Sequence, residues 1–131
     1  MIAGIGIDII DVQRMRNIVE KETGARFLDR TFSEREKEYC STFKDPLPRF
    51  AGRFAAKEAF VKASSSFLKG IALKDIETLN ASSGAPGIAV LKGDFDSSRY
   101  ACHVSISHTE TYACACVVIE VKEGVAHDKC K

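Results

Sequence analysis

At 131 residues the chain has the length of one domain, and folding can bury about two-thirds of its unfolded surface, enough for a real core. Lys and Arg number 19 against 18 Asp and Glu, and a formal charge of +1 excludes strong global attraction to nucleic acid or to a membrane, so electrostatic recognition must be local. Five cysteines without a disulfide-framework spacing, no basic segment ahead of the first apolar run and no stretch near the ~20 apolar residues of a bilayer span predict a soluble, cytoplasmic protein.

Met1 to Ile10 is rich in isoleucine and predicts a buried strand. In strand geometry Ala3, Ile5, Ile7 and Ile9 share one face, while Ile2, Gly4, Gly6 and Asp8 share the other. The glycines clear that second face for the approach of another backbone or a ligand, and Asp8 projects from the end of the cleared lane. Asp11 can cap a helix from Val12 to about Glu22, with Val12, Met15, Ile18 and Val19 inward, Arg14, Asn17 and Lys21 outward, and Gly24 as its end. Arg26 to Arg30 reads as a short turn. Ser33 and Glu36 then stand at capping-box spacing and open a helix toward Thr42, and Lys44 to Pro48 is a loop.

The stretch from Arg49 to Ala63 predicts a central helix, with five alanines, long straight-chain residues, Pro48 just ahead and no proline inside. At about 100° per residue it gathers Phe50, Phe54 and Val61 into a stripe roughly 40° wide, a face for a core. Lys57 falls inside that stripe and Glu58 at its edge, where each charge needs a partner or a job. Ser64 to Ser66 and Gly70 close the helix. Asp75 to Leu79, Ile88 to Leu91, Cys102 to Ser107 and Tyr112 to Val121 predict strands, with turns at Ser82 to Gly87 and His108 to Glu110. Cys114 and Cys116 share a face of the last strand and read as small buried hydrophobes of a reducing compartment rather than a metal site. The pattern is α+β, an N-terminal strand and helices packed on an antiparallel sheet, in a single domain over 1–131 whose last residues, from about 122, form a polar tail.

Asp8 and Glu58 are the carboxylates whose surroundings do not look simply solvated. On separate elements, with Arg53, Lys57 and Lys62 near Glu58, they suit a Mg²⁺ that keeps several waters and takes its other ligands from phosphate oxygens. The plainer alternative is a surface helix on which Glu58 and Lys62 form a solvated i,i+4 pair.

Three segments carry a resemblance. Gly4-Ile5-Gly6-Ile7-Asp8-Ile9, Gly52-Arg53-Phe54-Ala55-Ala56-Lys57-Glu58-Ala59-Phe60-Val61-Lys62-Ala63 and Val104-Ser105-Ile106-Ser107-His108-Thr109 together closely resemble the holo-acyl-carrier-protein synthases, the short class of 4′-phosphopantetheinyl transferases. The resemblance covers nearly the whole chain up to about Val121. It implies transfer of the phosphopantetheine arm of coenzyme A to a serine of apo-acyl carrier protein for fatty acid biosynthesis, releasing adenosine 3′,5′-bisphosphate. It also implies Asp8 and Glu58 as Mg²⁺ ligands and Lys62 as the group that stabilises or protonates the leaving phosphate, with Glu58 or a water it orients as the base. Arg53, Lys62 and His108 become coenzyme A contacts, and Lys44 and Arg49 remain open as cations for the 3′-phosphate. Members are typically homotrimers with the site between subunits, so His108 would reach the ligand from the adjacent chain. Arg14 matches an arginine that engages the acidic carrier protein, with Lys21 and Arg26 beside it as further candidates. Two rivals use the same residues differently: a metal-dependent nucleotide pyrophosphohydrolase, and a trimeric module that only binds acyl carrier protein.

Overall fold

A computed structural model describes residues 1–124, and the polar stretch from Val125, with Cys130, lies outside them. Its elements are β1 (Ile2–Asp11), α1 (Val12–Glu20), α2 (Gly24–Thr31), α3 (Glu34–Ser41), α4 (Leu47–Ser64), β2 (Ile76–Asn80), β3 (Pro86–Val90), β4 (Tyr100–His108) and β5 (Tyr112–Val121). The α+β class is as expected, but the strands divide into two sheets. β1, β5 and β4 form one antiparallel sheet in that order, while β2 and β3 pair as a separate hairpin.

Helix α4 organises the molecule by lying on the inner face of the three-stranded sheet. Its fully buried Ala55, Ala56 and Ala59 allow a close approach. The glycine lane of β1 is the other half of that fit: a Cβ at Gly4 would overlap the carbonyl oxygen of Ala63, and one at Gly6 that of Ala59. The backbone admitted by the lane is therefore α4, and the same contact holds Asp8 beside the last turns of the helix. Val117 and Ile119 of β5 complete the packing at 0% exposure.

The opposite face of β1 departs from expectation. Ile5, Ile7 and Ile9 are 66–67% exposed, aligned in register with Val118, Cys116 and Cys114. A strand pointing alternate side chains to two faces buries only the face that has a layer over it, and α4 covers one. Cys114 and Cys116 do share a face, but it is this outer one, where they are half-buried. Cys40 is buried and Cys102 faces inward; desolvation pushes both thiols up to about 12.

Two further differences lie before α4. The Asp11 carboxylate caps α1 by accepting from the N–H groups of Gln13 at 2.8 Å and Arg14 at 3.3 Å, but the helix stops at Glu20. Gly24 begins α2 rather than ending α1, and it is a glycine because a Cβ there would overlap the Val19 carbonyl oxygen. The residues read as a turn, Arg26 to Arg30, are helical and carry Phe27 into an aromatic cluster with Phe32 and Phe54. The capping box of α3 forms as read: Glu36 N–H donates to Ser33 Oγ at 3.2 Å, and Ser33 N–H to Glu36 Oε1 at 2.8 Å.

Candidate active site

Asp8, Glu58 and Lys62 come together where the end of β1 passes the C-terminal half of α4. Lys62 Nζ lies 3.2 Å from Asp8 Oδ1 and donates to the Ile7 carbonyl at 3.0 Å. Asp8 is largely covered, its side chain 19% exposed, whereas that of Lys62 is 56% exposed. Glu58 is half-buried, and desolvation followed by the negative charge of Asp8 pushes its carboxyl above the usual range, against the pull of Lys62. Beside them opens a pocket of about 300 Å³ walled by Asp8, Glu58, Arg14, Met15, Ile18 and Phe54. Arg14 therefore stands at the carboxylates' own pocket. Lys21 and Arg26 are exposed, the first at the C-cap of α1 and the second in the first turn of α2.

Two carboxylates on one pocket, the charge of Asp8 raising the proton affinity of Glu58, are in the electrostatic situation a divalent cation relieves. Among the described residues no group of three His, Cys, Asp or Glu side chains forms. Two anionic oxygen donors on rigid elements fit a hard cation such as Mg²⁺ that completes its shell with water and phosphate oxygens. Lys62 can face the same phosphates from the Asp8 side.

Arg53 and His108 lie elsewhere. They line a second pocket of about 180 Å³ together with Arg49, Tyr39, Asn80 and Pro86. Each arginine is stacked on an aromatic ring, Arg49 at 4.0 Å from the Phe43 centroid and Arg53 at 4.2 Å from that of Tyr39. Arg53 also donates to Asn80 Oδ1, while its Nε is buried with no hydrogen-bond partner among the described residues. Burial and the nearby Arg49 charge hold the His108 imidazole below its ordinary pKa. This pocket suits an anion, and Arg49 rather than Lys44 is the additional cation in it. On the helix, five residues separate Arg53 from Glu58 and turn them about 140° apart. The two pockets share no lining residue. Asn80, Tyr39 and Pro86 escaped the sequence reading, and only the place of Asn80 at a strand end, before a turn, hinted at it.

A carboxylate pair suited to a divalent cation, with a separate arginine pocket, is the equipment of an enzyme that works on a phosphate ester carrying several charges. Residues 4–117 match the family model of the 4′-phosphopantetheinyl transferase superfamily. Over 125 residues the chain is 42% identical to the holo-[acyl-carrier-protein] synthase of Oceanobacillus iheyensis, covering 94% of this chain and 100% of that one. It is 42% identical over 119 residues to the synthase of Thermodesulfovibrio yellowstonii, covering 91% and 99%. Among solved structures, the Bacillus anthracis holo-(acyl-carrier-protein) synthase in complex with CoA (3′,5′-ADP) superposes with a TM-score of 0.78 at 35% identity, covering 93% of this chain and 99% of that one. The Helicobacter pylori enzyme in complex with coenzyme A gives 0.74 at 31% identity, covering 88% and 99%. The chain belongs to the 4′-phosphopantetheinyl transferase superfamily.

Proposed function

We propose that this protein transfers the 4′-phosphopantetheine moiety of coenzyme A to a serine of apo-acyl carrier protein, giving holo-acyl carrier protein and adenosine 3′,5′-bisphosphate for fatty acid biosynthesis in the cytoplasm. The observation that carries this reading is the meeting of Asp8 and Glu58 at one pocket, with Lys62 against Asp8, in a chain whose relatives are holo-[acyl-carrier-protein] synthases. Asp8 and Glu58 would hold Mg²⁺, which when bound neutralises the diphosphate and polarises the bond to be broken. Glu58 accepts the serine proton directly or through a water it orients. The serine oxygen forms a bond to the phosphorus bearing the pantetheine arm as the bond to the adenosine bisphosphate oxygen breaks. Lys62 stabilises or protonates that leaving oxygen.

The separation of the two pockets supports a site shared between copies. One end of a coenzyme A molecule would lie at Asp8, Glu58 and Lys62 of one subunit and the other at Arg49, Arg53 and His108 of its neighbour. The exposed Ile5, Ile7 and Ile9 provide an apolar face for that contact, and a cyclic trimer closes it three times. At the mouth of the carboxylate pocket the exposed Arg14, with Lys21 and Arg26 as further cations, would receive the acidic carrier protein.

Mass spectrometry of apo-acyl carrier protein incubated with coenzyme A, Mg²⁺ and the enzyme is expected to reveal one added phosphopantetheine. Turnover of coenzyme A without carrier protein would indicate a pyrophosphohydrolase instead. Binding of the carrier without modification would indicate a docking module.

A further inference from the structure

Behind the arginine pocket lies a network of buried charge that the chemistry above leaves unused. Lys57 is completely buried, and its ammonium donates to Glu36 Oε1 at 2.7 Å, to the Leu73 carbonyl at 2.9 Å and to the Ile76 carbonyl. Glu36, 1% exposed, turns its other oxygen to β2, where it accepts from Thr78 N–H at 3.0 Å and Thr78 Oγ1 at 2.7 Å. Ser33, the N-cap of α3, donates through Oγ to the buried Glu77 at 2.6 Å. Three consecutive residues of β2, Ile76 to Thr78, are thus each held by polar groups of α3 or α4.

An ion pair at this depth is a poor source of stability, since desolvating both charges offsets most of their attraction. Directional hydrogen bonds, however, fix register and orientation far more narrowly than apolar packing does. What they fix here is the β2–β3 hairpin. Two residues beyond Thr78, Asn80 accepts from Arg53, and the Asn80 amide donates to the Gly84 carbonyl at 3.0 Å; Asn80, Gly84 and Pro86 all wall the arginine pocket. Arg53 and Lys57 are one turn apart on α4, so the helix presents ligand pocket and anchor side by side.

We propose that the buried Glu36–Lys57 pair is a positioning device for the anion pocket of Arg49, Arg53 and His108, docking the β2–β3 hairpin on α4 so that Asn80 and Pro86 are set against Arg53. Lys57 and Glu36 are positioning residues; neither lines that pocket. The inference rests on the functional reading above only in taking an adenosine bisphosphate group as the ligand there. Loss of the pair loosens one wall of this pocket and leaves the carboxylate pocket, on the other side of α4, in place.

The test uses Glu36→Leu/Lys57→Met, an apolar replacement of similar volume that buried pairs commonly tolerate, beside Thr78→Val, which removes a single hydroxyl from the network. The full-length proteins are compared by thermal melting, by calorimetric titration with adenosine 3′,5′-bisphosphate and by steady-state transfer. The double variant is expected to fold with a lowered Tm, because the Leu73 and Ile76 carbonyls and the Thr78 N–H lose their partners, and to bind the bisphosphate about tenfold more weakly, with KM for coenzyme A raised alike and kcat at saturation little changed. Thr78→Val is expected to weaken binding about threefold, and decides the matter if the double variant does not fold. A well-folded double variant, or a Thr78→Val protein, that binds the bisphosphate as wild type does overturns the proposal, because a merely structural pair would leave a folded pocket intact. A wild-type protein that neither binds the bisphosphate nor performs transfer fails at an earlier arm and overturns the functional reading instead.

Discussion

A site shared between subunits has a quantitative consequence that a site within one chain lacks. Glu58 and His108 line different pockets, with no residue in common, and about 140° of α4 separates Glu58 from Arg53 in the His108 pocket. Glu58→Gln removes the carboxylate half and leaves the arginine half; His108→Ala does the reverse. Each variant alone is therefore inactive or nearly so. In a cyclic trimer every interface joins the carboxylate half of one subunit to the arginine half of the next. When equal amounts of the two variants exchange subunits at random, about a quarter of interfaces unite two intact halves. The assay is transfer of phosphopantetheine to carrier protein, before and after exchange, with exchange verified by native mass spectrometry of differently tagged chains. Activity near a quarter of wild type per site is the expected result. Verified exchange with no recovery would refute the shared site and place both halves of the ligand on one chain.

Three other perturbations probe what positions that site. Gly6→Ala places a methyl group against the Ala59 carbonyl, and the enforced retreat of α4 should cost about 1–3 kcal/mol, read as a fall in Tm of roughly 5 °C or more. Ile7→Lys, at a residue 66% exposed in the single chain, should leave the fold intact but abolish the proposed trimer in analytical ultracentrifugation and activity with it; a trimeric variant would move the interface elsewhere. Arg14→Glu should raise KM for carrier protein more than KM for coenzyme A, whose pocket it also walls, and the wild-type KM for carrier protein should rise with salt as charges are screened beyond about 8–10 Å. Equal damage to both KM values would mean that Arg14 serves the coenzyme pocket and not carrier docking.

The parts of the structure legible in the sequence are those governed by local pattern. Alternation in β1 separated its two faces, and the helix over Arg49 to Ala63 forms within two residues of its predicted ends. The capping box at Ser33 and Glu36 was visible because it is closed within four residues. Illegible parts depend on partners distant in sequence. Lys57 lay inside an aromatic stripe with no visible partner, because Glu36 is brought to it by the packing of α3 on α4. The short α2, eight residues long, offered too few turns for its period to stand out from a turn. Burial of only one face of β1 could not be read from its isoleucines, since the same residues suit a core and an interface between subunits. For the site, Asp8 and Glu58 were singled out as unusual carboxylates, and their meeting at one pocket follows from the glycine lane that seats α4 on β1. The separation of His108 and Arg53 from them was invisible at the level of residue order, apart from what family resemblance implied.

The claim on which the mechanism turns is that Asp8 and Glu58 act as one unit through a shared cation, and a double-mutant cycle measures it. Asp8→Asn and Glu58→Gln keep volume while removing charge, and relief of repulsion should leave the thermal stability of the metal-free protein unchanged or higher. Each single variant should lose about a hundredfold or more in kcat/KM, partly recovered at raised Mg²⁺ or Mn²⁺. The double variant should fold, form trimers and fall to nearly the same floor, because the second removal takes away a ligand from an ion already lost. Losses that multiply, or a single variant with normal activity at low Mg²⁺, would contradict a shared cation and require Asp8 and Glu58 to work independently.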